Sequence, residues 1–188
     1  VELIAGCDIN KSRLKTFGRQ WGVNRLYSDY RKMLRKENLD IICIATWTHL
    51  HSEMVLASAK TGIRGIFCEK PIALNLEQAK KMVRACKQKD IALVINHERR
   101  WDIRYKTARK LIQAGKIGEI RTIIGNTLSW KPGKWSVKQY GGGPLFHDGT
   151  HLTDLFHFFN GPIDWVMGFE HRSHGKKNIE ETQDWKPL

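Results

Sequence analysis

No apolar run in the sequence approaches the ~20 residues that a membrane-spanning helix needs, which argues against a transmembrane protein. No charged stretch precedes the first apolar run, so a signal peptide is not expected. Cysteine is scarce: Cys7, Cys43, Cys68 and Cys86 are widely spaced and form no CxxC pair. That argues against a disulfide frame or a zinc ribbon, and for reduced thiols in a cytoplasmic protein. Internal repeats and low-complexity tracts are absent. Acidic residues are in the minority, 19 against 32 basic ones, giving a net charge of +13. Such an excess suits either a nucleic-acid surface or a basic, solvated surface that attracts anionic cofactors. The basic residues are dispersed over helical stretches at 11–19, 31–36 and 80–89, with no dense block beside an aromatic cluster. Nucleic-acid binding is therefore the weaker reading.

What is present is a chain of 188 residues in which apolar runs alternate with amphipathic helical stretches. Residues 1–7, 41–46 (IICIAT), 63–68 and 91–96 (IALVIN) read as buried strands. Leu14, Phe17 and Trp21 mark one intervening helix, closed by Gly22, and 29–36 forms a second. Met54, Val55 and Ala59 lie on a third. Leu76, Ala79, Met82, Val83 and Cys86 lie on a fourth, opened by Asn75 with Gln78 three residues on, much like a capping box. Residues 101–112 form a fifth. Strands alternating with helices predict βαβ units and a parallel sheet with both faces covered. Beyond Gly118 the style changes. Residues 119–130 and 165–171 are expected as strands and 144–159 as a helix, with a glycine-rich loop before that helix. These observations place a domain boundary near Gly118, giving units of 1–118 and 119–188.

Three segments could carry chemistry. Asp8 ends an apolar strand, where a carboxylate accepts hydrogen bonds from adenosine ribose hydroxyls and disfavours a 2′-phosphate. Equally, an Asp there serves as a turn residue. Glu69-Lys70-Pro71 follows a strand directly, at the sheet edge where open α/β folds bind ligands. A lysine there polarises a carbonyl or hydroxyl, unless it is a plain surface lysine in a turn. In the predicted helix at 144–159, helical geometry places His147, His151, Asp154 and Phe158 on one stripe beside an apolar face. His151 suits general acid/base work, with Asp154 or His147 orienting its ring. Two histidines at i and i+4 also match metal-ligand spacing, although no third ligand is evident, and a buried polar pair without catalytic role fits the same pattern.

In order along the chain, these residues resemble the Gfo/Idh/MocA oxidoreductase family. Cys7-Asp8 resembles the end of its second Rossmann strand. Tyr27-Ser28-Asp29-Tyr30 with Met33-Leu34 is similar to its Y-x-D-Y-x-x-M-L stretch. Ile44-Ala45-Thr46-Trp47-Thr48-His49-Leu50-His51 resembles A-T-P-x-x-x-H, with Trp47 where proline is common, and Glu69-Lys70-Pro71 resembles the hallmark tripeptide. The resemblance implies an α/β fold: a Rossmann-like parallel sheet lacking its first strand, followed by part of an α+β substrate domain. It implies an NAD(P)-dependent dehydrogenase that moves a hydride between nicotinamide and a sugar or polyol. NAD is favoured by Asp8. Lys70, His151 and His147 are the implied catalytic residues. Asp8, Ala45, Thr46, His51, Glu69, Lys70, Asn96 and Arg100 are implied for cofactor, and His97, Lys70, Asp148 and His151 for a sugar-like substrate.

Two departures stand out. Many members carry an aspartate four residues before the catalytic histidine. Here that position is His147, and Asp148 lies about 100° around the helix. The family's first strand and glycine-rich phosphate loop, expected before Val1, are not in the sequence, and residues 141–143 follow no strand of a βαβ unit. The chain therefore reads as truncated at both ends. A catalytically inactive remnant acting as a binding or scaffold protein is the alternative reading, and homo-oligomerisation is expected of the full-length form.

Overall fold

The computed structural model describes residues 1–127 and 145–168, and the chain divides into two compact units, Val1–Asn96 and His97–Leu188. In the first, strands and helices alternate: β1 (Ala5–Cys7), α1 (Lys11–Trp21), β2 (Arg25–Tyr27), α2 (Tyr30–Lys36), β3 (Ile41–Ile44), α3 (Thr48–Ser58), β4 (Gly65–Glu69), α4 (Leu76–Lys87) and β5 (Ala92–Asn96). All pairing is parallel. β1 pairs with β2, and β3, β4 and β5 form a second sheet in that order. β2 was not anticipated, because three residues of mixed polarity carry no readable period.

Local chemistry places the helices. Asn10 Oδ1 accepts the Ser12 and Arg13 amides to start α1, and Asp29 accepts Arg31 to start α2. Gly22 closes α1 at φ 66°, a conformation glycine reaches without a Cβ penalty. Asn75 accepts the Gln78 amide at 2.9 Å, and Gln78 returns a side-chain oxygen to the Leu74 amide. This is the expected capping box shifted by one residue.

The core lies under α3 and α4. Ile42, Ile44, Ile66, Cys68, Val55, Ala59, Met82 and Cys86 are buried there. At about 25 cal/mol per Å² of apolar surface, this burial is the main favourable contribution to holding β3–β5 in place. The opposite sheet face is less covered than the apolar runs predict. Ile41 and Val94 are 53% and 40% exposed, and Cys43 is exposed.

In the second unit a 3-10 turn (Glu98–Trp101) leads into α5 (Ile103–Gln113), capped by Asp102. A π-helical turn (Leu145–Gly149) leads into α6 (Thr150–Asn160). Tyr105 packs 6.2 Å from Phe159, ring to ring, and the Arg109 guanidinium lies 4.4 Å over Phe158. These contacts group α5 with α6, so the division falls between Asn96 and His97 and not near Gly118.

The strands expected at 119–130 and 165–171 are not seen among their described residues, 119–127 and 165–168. Alternating polarity supplies a strand with a face but not with a partner, and no described segment pairs with either. Residues 119–127 instead pass close to α6. A Cβ on Gly125 would meet the Phe156 ring at 2.9 Å and Leu152 at 3.1 Å. The glycine-rich loop and residues 169–188 lie outside the described residues, as does Pro144.

Candidate active site

Parallel strands in register bring their carboxyl ends to one edge. Ile44 is level with Cys68, Cys68 with Ile95, and Glu69 with Asn96. Ala45, Thr46, Glu69, Lys70 and Asn96 therefore emerge at the same end of the three-stranded sheet, where α/β folds bind ligands. The register has a direct chemical consequence: Asn96 Nδ2 donates to Glu69 Oε1 at 2.6 Å. The other carboxylate oxygen accepts the Lys70 backbone N–H at 3.2 Å. Glu69 is thus held on both sides and fixes the residue that carries the ammonium group. Lys70 is half-buried and joined to the buried Pro71 by a cis peptide. Beneath it, burial pushes the Cys68 thiol up to about 12, so this side chain stays a neutral thiol.

His51 corrects an expectation. Its ring is fully buried, with Nδ1 2.9 Å from the Pro71 carbonyl oxygen and Nε2 3.0 Å from the Thr46 carbonyl oxygen. Both ring nitrogens face backbone carbonyls of the protein. The side chain ties the loop after β3 to the turn after β4. The reason is its place on the inward face of α3, among Thr48, Ser52 and Val55, which are all buried. Asp8, half-buried at the end of β1, accepts the Asn10 amide at 2.7 Å, the turn-forming role that competed with ribose binding in the sequence.

The second unit carries the other half of the predicted residues. His151 is buried on α6, and its Nδ1 lies 3.6 Å from Oε2 of Glu98. The His97 and His151 rings stand perpendicular, 6.5 Å between centroids. Asp154 does not orient His151 as expected. It is gripped by Arg100, whose Nε lies 2.9 and 2.8 Å from its two oxygens and whose second nitrogen lies 2.7 Å from Oδ1. His97 Nδ1 lies 3.9 Å from the same carboxylate. The Asp154 bond holds the Arg100 guanidinium above its ordinary pKa, and Arg100 also lies 5.3 Å over the Phe158 ring. Arg100, expected to bind cofactor, therefore clamps the 3-10 turn to α6.

His147 and Asp148 also differ from expectation. They sit on the π-helical turn and not on an α-helix, and they bond to each other at 3.0 Å. A π-helical turn holds more residues than an α-helical one and so rotates less per residue, which departs from the 100° spacing that drew the stripe from His147 to His151. Among the described residues no group of three His, Cys, Asp or Glu is arranged to hold a metal ion. Nor is any described helix long and apolar enough to cross a membrane. Sequence reasoning missed Glu98, which stands 53 residues from His151 and shares no period with it.

Comparison with known proteins accounts for the order of these elements. The family model described as "Oxidoreductase family, NAD-binding Rossmann fold" matches residues 1–97, and the GFO/IDH/MocA C-terminal domain matches residues 105–185. The myo-inositol 2-dehydrogenase of Thermotoga maritima is 28% identical over 85% of this chain and 47% of its own length. The D-apiose dehydrogenase of Paraburkholderia graminis is 36% identical over 62% of this chain and 31% of its own. Among solved structures, the WlbA dehydrogenase from Bordetella pertussis, in complex with NADH and UDP-GlcNAcA, superposes with a TM-score of 0.78 at 27% identity. That match covers 86% of this chain and 48% of that one. The chain spans about half, or less, of the length of these relatives. The parallel α/β unit and the domain that follows it place this chain in the Gfo/Idh/MocA oxidoreductase family.

Proposed function

We propose that the protein is an NAD(P)-dependent oxidoreductase that interconverts a hydroxyl and a carbonyl on a sugar or polyol. The observation that carries this reading is the braced Glu69–Lys70 pair at the carboxyl edge of the β3–β4–β5 sheet. A positioned ammonium group at that edge suits stabilisation of an oxygen on which negative charge develops. The polar groups there, Thr46, Glu69, Lys70 and Asn96, fit the hydrogen-bonding groups of a nicotinamide and its ribose. Asp8 fits the hydroxyls of the adenosine ribose and gives the preference for NAD over NADP. When bound, the nicotinamide supplies the hydride donor or acceptor.

The chain's own residues do the rest. Lys70 Nζ donates a hydrogen bond to the reacting oxygen and stabilises its anionic form. His151 takes the hydroxyl proton on Nε2 during oxidation and returns it during reduction. Asn96 keeps Glu69, and through it the Lys70 backbone, in place.

Calorimetric titration of the full-length protein with NAD and NADP tests the reading. NAD is expected to bind more tightly, and Lys70→Met to lower polyol-dependent NAD reduction by about 100-fold or more while leaving NAD affinity within a few-fold. Binding of neither dinucleotide would overturn it.

A further inference from the structure

Glu98 stands outside every motif in the sequence, yet it brings a carboxylate oxygen to 3.6 Å from Nδ1 of His151. Its side chain is 53% exposed and that of His151 only 9%. The imidazole is thus enclosed by packing, while the carboxylate lies half in solvent. The other carboxylates of this region are engaged elsewhere. Asp148 bonds His147, and Asp154 lies in the Arg100 fork.

The charged and titratable groups of this unit near His151 come from four elements and the residue before one of them. Asp154 shares α6, and His147 and Asp148 come from the π-helical turn. His97 precedes the 3-10 turn, which carries Glu98, Arg99 and Arg100, and Arg109 comes from α5. Arg100 and Asp154 neutralise one another, and Glu98 brings a negative charge to 3.6 Å from Nδ1 of His151.

We propose that Glu98 is a positioning residue for His151. Its carboxylate receives the Nδ1 proton, and that selects the tautomer in which Nε2 is left to accept a proton from substrate. It also stabilises the imidazolium that forms. At 3.6 Å the contact is longer than a hydrogen bond, and rotation of the half-exposed glutamate closes it, as commonly happens when substrate binds. The proposal rests on the reading of His151 as the acid/base of the reaction above.

The test uses the full-length protein and the variants Glu98→Gln and Glu98→Asp, with two readouts. The first needs no activity: an NMR titration of the His151 ring. Glu98→Gln is expected to lower its midpoint by about 0.5–1 pH unit, a modest shift because the carboxylate is half in water. The second is kinetic. Glu98→Gln is expected to lower kcat by about 10- to 100-fold and to move the acid limb of its pH profile downward, with KM and NAD affinity within about twofold. Glu98→Asp is expected to restore part of both effects. A merely structural role would lower the melting temperature without moving the titration midpoint. If the midpoint and the acid limb stay in place in Glu98→Gln, the proposal is overturned. If the midpoint moves but no sugar or polyol is turned over by the wild type, the pairing holds and the functional reading fails.

Discussion

Removing Arg100 should destabilise the protein more than removing Asp154, although the two share one ion pair. Three nitrogen–oxygen contacts of 2.7–2.9 Å join them. At that distance two unit charges attract by about 6 kcal/mol at an effective dielectric of about 20. Most of this is offset by desolvation and by the 38% exposure of the Arg100 side chain. A coupling energy of about 1–3 kcal/mol remains. The two single variants are not equivalent. Arg100→Ala leaves a carboxylate that is only 10% exposed, and it also removes a guanidinium stacked 5.3 Å over Phe158. That stack adds about 0.5–1 kcal/mol. Asp154→Ala leaves a guanidinium that water already reaches and keeps the stack. Arg100→Ala should therefore cost about 2–4 kcal/mol and Asp154→Ala about 1–2, with the double variant less costly than the sum. Urea unfolding of the four proteins, followed by far-ultraviolet circular dichroism at constant m-value, measures this cycle. Equal costs for the two single variants, or a coupling below about 0.5 kcal/mol, would refute the reasoning.

Three further outcomes follow from single sites. His51→Ala should cost about 2–4 kcal/mol by leaving unpaired whichever of the Thr46 and Pro71 carbonyls accepts the ring N–H, beside a cavity, measured by the same urea titration; a loss below about 1 kcal/mol would show that the brace carries little. Native-state alkylation followed by mass spectrometry should label exposed Cys43 first and leave buried Cys86 and Cys68 unmodified, the latter with a thiol pushed up to about 12. Asp102 is held down to about 2 by Arg104, first through the side-chain hydrogen bond. Because its folded-state value is depressed, the stability it contributes is present above its ordinary value of 3.8 and is lost as pH falls through about 2. The advantage of wild type over Asp102→Asn in thermal melts should therefore shrink as pH falls from about 4 through about 2, and an advantage undiminished at pH 2 would contradict the assignment.

The sequence determined whatever depends on neighbours along the chain. The strands β3, β4 and β5 are short apolar runs rich in β-branched residues, and hydrophobic burial places such runs in a sheet core whatever else surrounds them. The caps at Asn75 and at Gly22 were legible because a cap reaches only two to four residues. Glu69-Lys70-Pro71 was legible as a strand end, and the structure places it at the carboxyl edge of β3–β5. Tertiary structure alone decided pairings across distance. β2 pairs with β1 beside it, whereas no strand is seen among residues 119–127. His51 was read as a ligand of the cofactor, and only its enclosure between two carbonyls turned it into a brace. Asp154 was read as a candidate to orient His151, and the position of Arg100 on another segment settled which cation it met. Glu98 reached His151 in the same way. A hydrogen bond or ion pair forms between groups that the fold brings within about 4 Å, and separation along the chain carries no record of that distance.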